Sequence, residues 1–258
     1  MKTLFCIWTI AVNTVRESVR NKVLYALLFF SIVMIGAGVI IGSLSYVESG
    51  RILQDVGLAS VRLFGVAIAI FVGIGLIHKE VDRRTVYTIL SKPLSRGAFL
   101  LGKFVGLTLT IWMQMIIMLS AFGVVSLATG APLGLSHVAF GLLTAMELAL
   151  VVAIATFFSA FTTPLLAALF TTGMWVLGHL TRDLRDIGAR SETPFLETAT
   201  QIAHRVLPDL ESFNFSIEAA HLLPVTASDV MLPLLYCVGY ATLVLTVAVA
   251  IFDRRDFR

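Results

Sequence analysis

Residues His78–Lys103 read HKEVDRRTVYTILSKPLSRGAFLLGK. The basic residues are Lys79, Arg83, Arg84, Lys92, Arg96 and Lys103, against the acidic Glu80 and Asp82. On either side lie strongly apolar runs, Val66–Ile77 and Phe104–Val125. In the first half of the stretch Val86, Ile89 and Leu90 share one side of a short helix. Pro93 ends that helix, because proline has no amide donor and disfavours helix in the residue before it. Ser95 suits the N-cap of the next helix. The stretch therefore predicts a polar helical hairpin joining two membrane spans. A basic loop that only fixes topology satisfies the same composition.

Working outward, the whole chain is apolar. Of 258 residues, 58% are hydrophobic and 14% charged, with a mean hydropathy of +0.93. A soluble domain carries about 25% charged residues. Runs long enough to cross a bilayer predict spans at about Leu24–Leu44, Gly57–Ile77, Leu101–Leu127, Val138–Phe158, Leu165–Leu180 and Met231–Phe252. The expected fold is all-α: one membrane domain over residues 1–258 with six transmembrane helices. Its length leaves no room for a separate soluble enzyme domain. No cleaved secretory leader is expected, since the first long apolar run starts only near Val23. Cys6 and Cys237 are expected to remain unpaired.

Residues 1–22 place Leu4, Trp8, Ala11, Val15 and Val19 at helical spacing, with Asn13, Arg16, Glu17, Arg20 and Lys22 on other faces. This predicts an amphipathic helix lying in the headgroup layer. Residues 181–230 form the longest polar segment. Within it Phe195, Ala199, Ile202 and Val206 make a helical stripe, Pro194 suits the first turn and Pro208 ends the helix. A second short helix is expected at Ser216–Leu222. The segment reads as a folded cap, with Phe195, Ile202 and Phe213 as candidates for touching a partner protein or the membrane.

Charge sets the orientation. Thirteen of the 19 Lys and Arg lie in residues 1–23, 78–103 and 253–258, together with five of the 16 acids. The other face holds six basic and ten acidic residues, and Glu147 lies within a span. Net charges of +8 and −4 place both termini and the 79–100 hairpin in the cytoplasm, and the 181–230 loop outside.

Few motifs point to chemistry. Gly97-Ala98-Phe99-Leu100-Leu101-Gly102-Lys103 has the spacing of a P-loop, but Phe104 stands where Ser or Thr would bind magnesium, and no strand precedes it. His78, His137, His179, His204 and His221 are scattered, with no ligand pair at metal spacing. No catalytic residue, cofactor, metal or nucleic-acid site is expected. Glu147, deep in a span, should face the bundle interior or be protonated, since a charge there costs at least about 2.5 kcal/mol. It reads either as a polar spot on a transport path or as a helix clamp, with Gln114 of the third span in reach. Arg62 is expected near the outer end of the second span, free to snorkel. Gly38 and Gly42 have GxxxG spacing.

Glu80, Arg84-Thr85, Ile89-Leu90, Ser91-Lys92-Pro93-Leu94-Ser95-Arg96 and Gly102-Lys103 together resemble the cytoplasmic loop of ABC transporter permeases of the type 2 exporter class. The subgroup that includes the permease of the nitrous-oxide-reductase maturation system is most similar. The resemblance implies that residues 1–22 are an elbow helix and that the first half of the hairpin is a coupling helix docking on an ATPase. On that basis Glu80, Arg83, Arg84, Thr85, Leu90 and Ser91 transmit force. It also implies a homodimer or paired permease with two ATPase subunits, which bind the ATP and Mg, in a bacterial inner membrane. A membrane scaffold that binds a periplasmic protein through its 181–230 loop is the alternative.

Overall fold

The computed structural model describes residues 2–44, 49–82, 96–190 and 194–254, which are helical with no strand. The helices are α1 (Lys2–Ser18), α2 (Lys22–Ser43), α3 (Ser49–Asp82), α4 (Arg96–Ala128), α5 (Leu135–Ser159), α6 (Pro164–His179), α7 (Thr181–Ala189), α8 (Pro194–Val206), α9 (Ser216–Ala220) and α10 (Ala227–Arg254). A 3-10 turn at Glu211–Phe213 precedes α9.

Local chemistry explains several ends. Asn21 caps α2 by accepting a hydrogen bond from Val23 N at 3.0 Å. Pro164 occupies the first turn of α6, where its missing N–H costs nothing. Asp229 accepts from Thr226 N at 2.9 Å and so closes the start of α10. Gly130, at φ +74°, makes the turn between α4 and α5 in a left-handed conformation that a side chain would oppose.

The core is organised around α5, which packs against α3, α4, α6 and α10 and is buried along most of its length. Its many alanines, among them Ala145, Ala149, Ala153 and Ala155, let neighbouring backbones come close. At the periphery, α2 and α10 expose large apolar residues such as Phe29, Phe30, Ile40, Leu232, Leu235 and Leu243. Such continuous apolar surface suits lipid as solvent.

Among the described residues, five helices are long and apolar enough to cross a membrane: α2, α3, α4, α5 and α10. Counting α6 and α7 as one broken span gives six, with a bend of 60° between them. Alone, the 16 residues of α6 rise about 24 Å, short of a hydrocarbon core of about 30 Å.

Two boundaries differ from the sequence expectation. α3 starts at Ser49, so Arg51 and Asp55 belong to its first turns rather than to a loop. Arg62 therefore lies well inside the candidate span Gly50–Gly75, not at its outer end. α10 starts at Ala227, about one turn before the expected Met231.

α1 lies against the first half of α4. Its buried face is Ala11, Thr14 and Ser18, while Leu4 and Trp8 are exposed. The facing glycines of α4 are Gly102 and Gly106. A Cβ on Gly102 would meet the Ile10 side chain at 2.8 Å, and one on Gly106 would meet Ala11 O at 2.6 Å. Gly38 is also closely approached: a Cβ there would meet the side chains of Leu53 and Val56 of α3 at 3.3 Å. The P-loop-like stretch is helical from Arg96 onward, and Lys103 is buried with its Nζ 3.6 Å from Glu17 of α1.

Candidate functional site: a buried ion pair at the α6–α7 bend

Glu147 lies midway along α5, and its side chain is 0% exposed. Arg62 of α3 donates from Nε to Glu147 Oε2 at 2.9 Å. Trp175 of α6 donates from Nε1 to Glu147 Oε1 at 3.0 Å. Both carboxylate oxygens are thus occupied, which offsets much of the cost of burying the charge. One turn beyond Trp175 on the same face, His179 places Nε2 3.3 Å from Glu147 Oε1 and also meets Arg62 Nη2.

The hydrogen bond on the other ring nitrogen fixes the tautomer of His179. Nδ1 lies 2.8 Å from the carbonyl of Trp175 and must donate to it. In the neutral ring Nε2 is then a lone pair and accepts from Arg62. Protonation would make Nε2 a donor, with Glu147 Oε1 the acceptor at hand. The cluster ties α3, α5 and α6 together just before the 60° bend into α7.

Beside the cluster is a cavity of about 380 Å³. It is lined by the polar side chains of Arg62, Trp175, His179, Asn214 and Ser216 and by the apolar Ala59, Leu63, Val176 and Leu180. A second cleft, about 540 Å³ and almost wholly apolar, runs between α4 and α5 past Trp112, Met115, Phe122 and Met146.

The polar segment after α6 is fastened to the bundle. Leu210 N donates to Gly178 O at 3.1 Å, Arg182 pairs with Asp209 at 2.9 Å, and the hydroxyls of Tyr236 and Tyr240 bond Asp209 N and Val206 O, each at 3.0 Å. Arg51 of α3 also meets the ring of His221.

Three site expectations change. Gln114 makes no hydrogen bond with Glu147, and its Oε1 is buried without a partner. At this level Trp112 is the α4 residue that faces α5, donating to Ala145 O at 2.8 Å. Gln114, two residues on, lies about 200° further round the helix. Phe213 is no surface contact: it is 0% exposed and packs with Leu143, Leu150, Leu210 and Cys237. Arg62 does not snorkel, because Glu147 holds it inside the bundle.

Phe195 is 76% exposed on α8, and Ile202 is exposed on the same helix. Glu80 falls in the last turn of α3. Arg83, Arg84, Thr85, Leu90 and Ser91 lie outside the described residues. In the sequence, Trp175 carries no assigned role and His179 is one of five scattered histidines. Their spacing of four, which puts them on one helix face, was the available signal. Among the described residues, no group of three or more His, Cys, Asp or Glu is placed to hold a metal ion.

Long apolar helices around a buried ion pair, with a polar cap fastened to one end, define a polytopic helical membrane protein. Residues 8–257 match the family described as ABC-2 family transporter protein, and the chain belongs to that family. It is similar to the "Probable ABC transporter permease protein NosY" of Stutzerimonas stutzeri, with 31% identity over 145 residues, 52% of this chain and 51% of that protein. The match thus spans about half the length of that curated relative.

Proposed function

We propose that this chain is the membrane permease subunit of an ATP-driven ABC exporter, with six spans and both termini in the cytoplasm of a bacterial inner-membrane system. Its partners are two ATPase subunits, which bind ATP and Mg, and a second copy of the chain or a similar permease. Family membership supports the permease reading. One structural observation supports the coupling: α3 runs unbroken for 34 residues, from Ser49 beside the cap through Arg62 to Asp82 at the edge of the hairpin. That is about 50 Å of continuous helix.

In this reading the hairpin docks on the ATPase through Glu80, Arg83, Arg84, Thr85, Leu90 and Ser91. ATP-driven closure of the ATPases displaces it. α3 carries the displacement to Arg62 and, through Glu147 and His179, to the α6–α7 bend. α1 grips the first half of α4, which follows the hairpin, at Gly102 and Gly106. The energy comes from the different affinities of the two ATPase states for ATP, because a ligand shifts an equilibrium only by such a difference.

Co-purification tests the proposal: the chain should bring down an ABC ATPase, and its function should require ATP hydrolysis. A chain that is active with no ATPase bound would overturn it. The exposed Phe195 and Ile202 on α8 favour a second reading, a membrane scaffold that binds a periplasmic protein. Activity that survives Arg83→Glu/Arg84→Glu but is lost in Phe195→Ala/Ile202→Ala would select the scaffold.

A further inference from the structure

The cavity beside Arg62 is unlike the other cleft in having charge on its wall. Arg62 and His179 line it, and no acidic residue does. Arg62 uses Nε for Glu147 and Nη2 for His179. A guanidinium has five N–H donors, so donors remain. The side chains of Arg62 and His179 are 12% and 17% exposed, and the cavity is a surface they share.

The cavity lies where α6 changes character. The apolar run of α6 ends at His179, and α7 follows at once with Arg182, Asp183, Arg185 and Asp186. Those charges, with Asn214 and Ser216 of the polar segment in the cavity lining, set the cavity against the polar cap, where the apolar run of α6 stops. The exposed Ala59, Leu63, Val176 and Leu180 flank the cavity, so it opens sideways. Leu165, Leu169, Val176 and Leu180 fall on one exposed face of α6 and offer a path for an acyl chain. A volume of about 380 Å³ is near the lower limit for small-ligand sites and suits a head, with its chains left outside.

We propose that this cavity binds the phosphate head of an anionic membrane phospholipid, with Arg62 as the anion contact and His179 as the group that takes up a proton when the head enters. The inference rests on the membrane-permease reading for its bilayer setting. Neutral His179 occupies Arg62 Nη2. On protonation its Nε2–H turns to Glu147 Oε1, already 3.3 Å away, and Arg62 Nη2 is released towards the cavity. The gained proton balances the charge of the phosphodiester, so the cluster stays neutral overall. Arg62 from α3 and Glu147 from α5 are the charged groups that face His179. Of the α7 and cap charges, Arg182 and Asp209 pair with each other, and Asp183, Arg185 and Asp186 are exposed. A zwitterionic head is disfavoured because its cation would find no carboxylate on the cavity wall.

Trp175, which lines the cavity, provides the readout. Full-length protein carrying Trp8→Phe and Trp112→Phe is reconstituted in phosphatidylcholine vesicles with increasing brominated phosphatidylglycerol. Saturable quenching of Trp175 at low mole fraction is expected, stronger at about pH 6 than at about pH 8, because proton uptake by the imidazole releases Arg62 Nη2. His179→Gln should abolish the pH dependence. Arg62→Gln/Glu147→Gln, which leaves no unpaired buried charge, should weaken the saturable phase on the order of tenfold, as expected for a lost charge-assisted hydrogen bond. Quenching no stronger than with brominated phosphatidylcholine would overturn the proposal. So would quenching unchanged in the double variant, or complete competition by inorganic phosphate, which would mark a site for soluble anions. Co-purification with the ATPase, measured on the same preparations, reports separately on the permease reading.

Discussion

Arg62 of α3 and Glu147 of α5 form an ion pair, 2.9 Å from Nε to Oε2, inside a bundle of apolar helices. The pair joins the helix that leads towards the basic stretch of the sequence after Asp82 to the helix at the centre of the core. Because Glu147 is fully buried, neither partner can lose the other without leaving a charge in a low-dielectric interior.

The ion pair should show strong non-additivity. Arg62→Gln and Glu147→Gln, each alone, should destabilise the detergent-solubilised protein by about 3–5 kcal/mol, the usual cost of breaking a buried pair. The double variant should recover most of that loss. A thermal-unfolding double-mutant cycle checks it, and additive losses would show that the two residues do not act as a pair.

Gly106 should tolerate no side chain. A Cβ there meets Ala11 O and the Thr14 side chain, each at 2.6 Å, and backbone cannot yield as a flexible side chain does. Gly106→Val should cost about 1–3 kcal/mol through overpacking and lift α1 from α4. Loss of a crosslink between cysteines placed on those two helices would report it. Gly123→Ala, where a Cβ meets nothing within 4 Å, is the control.

Phe213 and Phe195, both aromatic and both in the polar segment, should behave oppositely. Phe213→Ala empties a packed position and should cost about 3–5 kcal/mol. Phe195→Ala removes an exposed ring and should stay within about 0.5 kcal/mol. Thermal stability of the two purified variants decides the matter. If Phe195 binds a partner, only partner affinity should change in its variant.

Charge reversal in the hairpin should separate coupling from folding. Arg83→Glu/Arg84→Glu should reduce ATPase recovery in a pull-down by on the order of tenfold or more, the scale of lost complementary charge at an interface. The unfolding temperature of the permease alone should stay unchanged. Equal ATPase recovery would remove these two residues from the docking surface.

Much of this molecule was legible in its sequence. The Phe195–Val206 stripe and Pro194 marked α8, and Ser216 marked the start of α9, because helical periodicity and proline geometry are local properties. The isolated Glu147 announced a buried polar site, since an acid amid apolar residues must find a partner or a proton. Its partners were not legible. Gln114 was a reasonable choice by depth, yet it faces away from Glu147. Arg62 was misplaced because α3 begins at Ser49, within a stretch polar enough to pass for a loop. Phe213 looked like surface because its sequence neighbours are polar, but the 3-10 turn directs its ring into the core.

Composition and hydropathy alone therefore determined a polytopic helical membrane protein, because transfer from water to lipid depends on each segment's own residues. Only the tertiary structure decided that Arg62, Glu147, Trp175 and His179 meet, that Gly102 and Gly106 receive α1, and that a cavity lies beside the cluster. Those outcomes depend on how far each helix is rotated about its axis and which neighbour it packs against, and residues more than eighty positions apart settle that together.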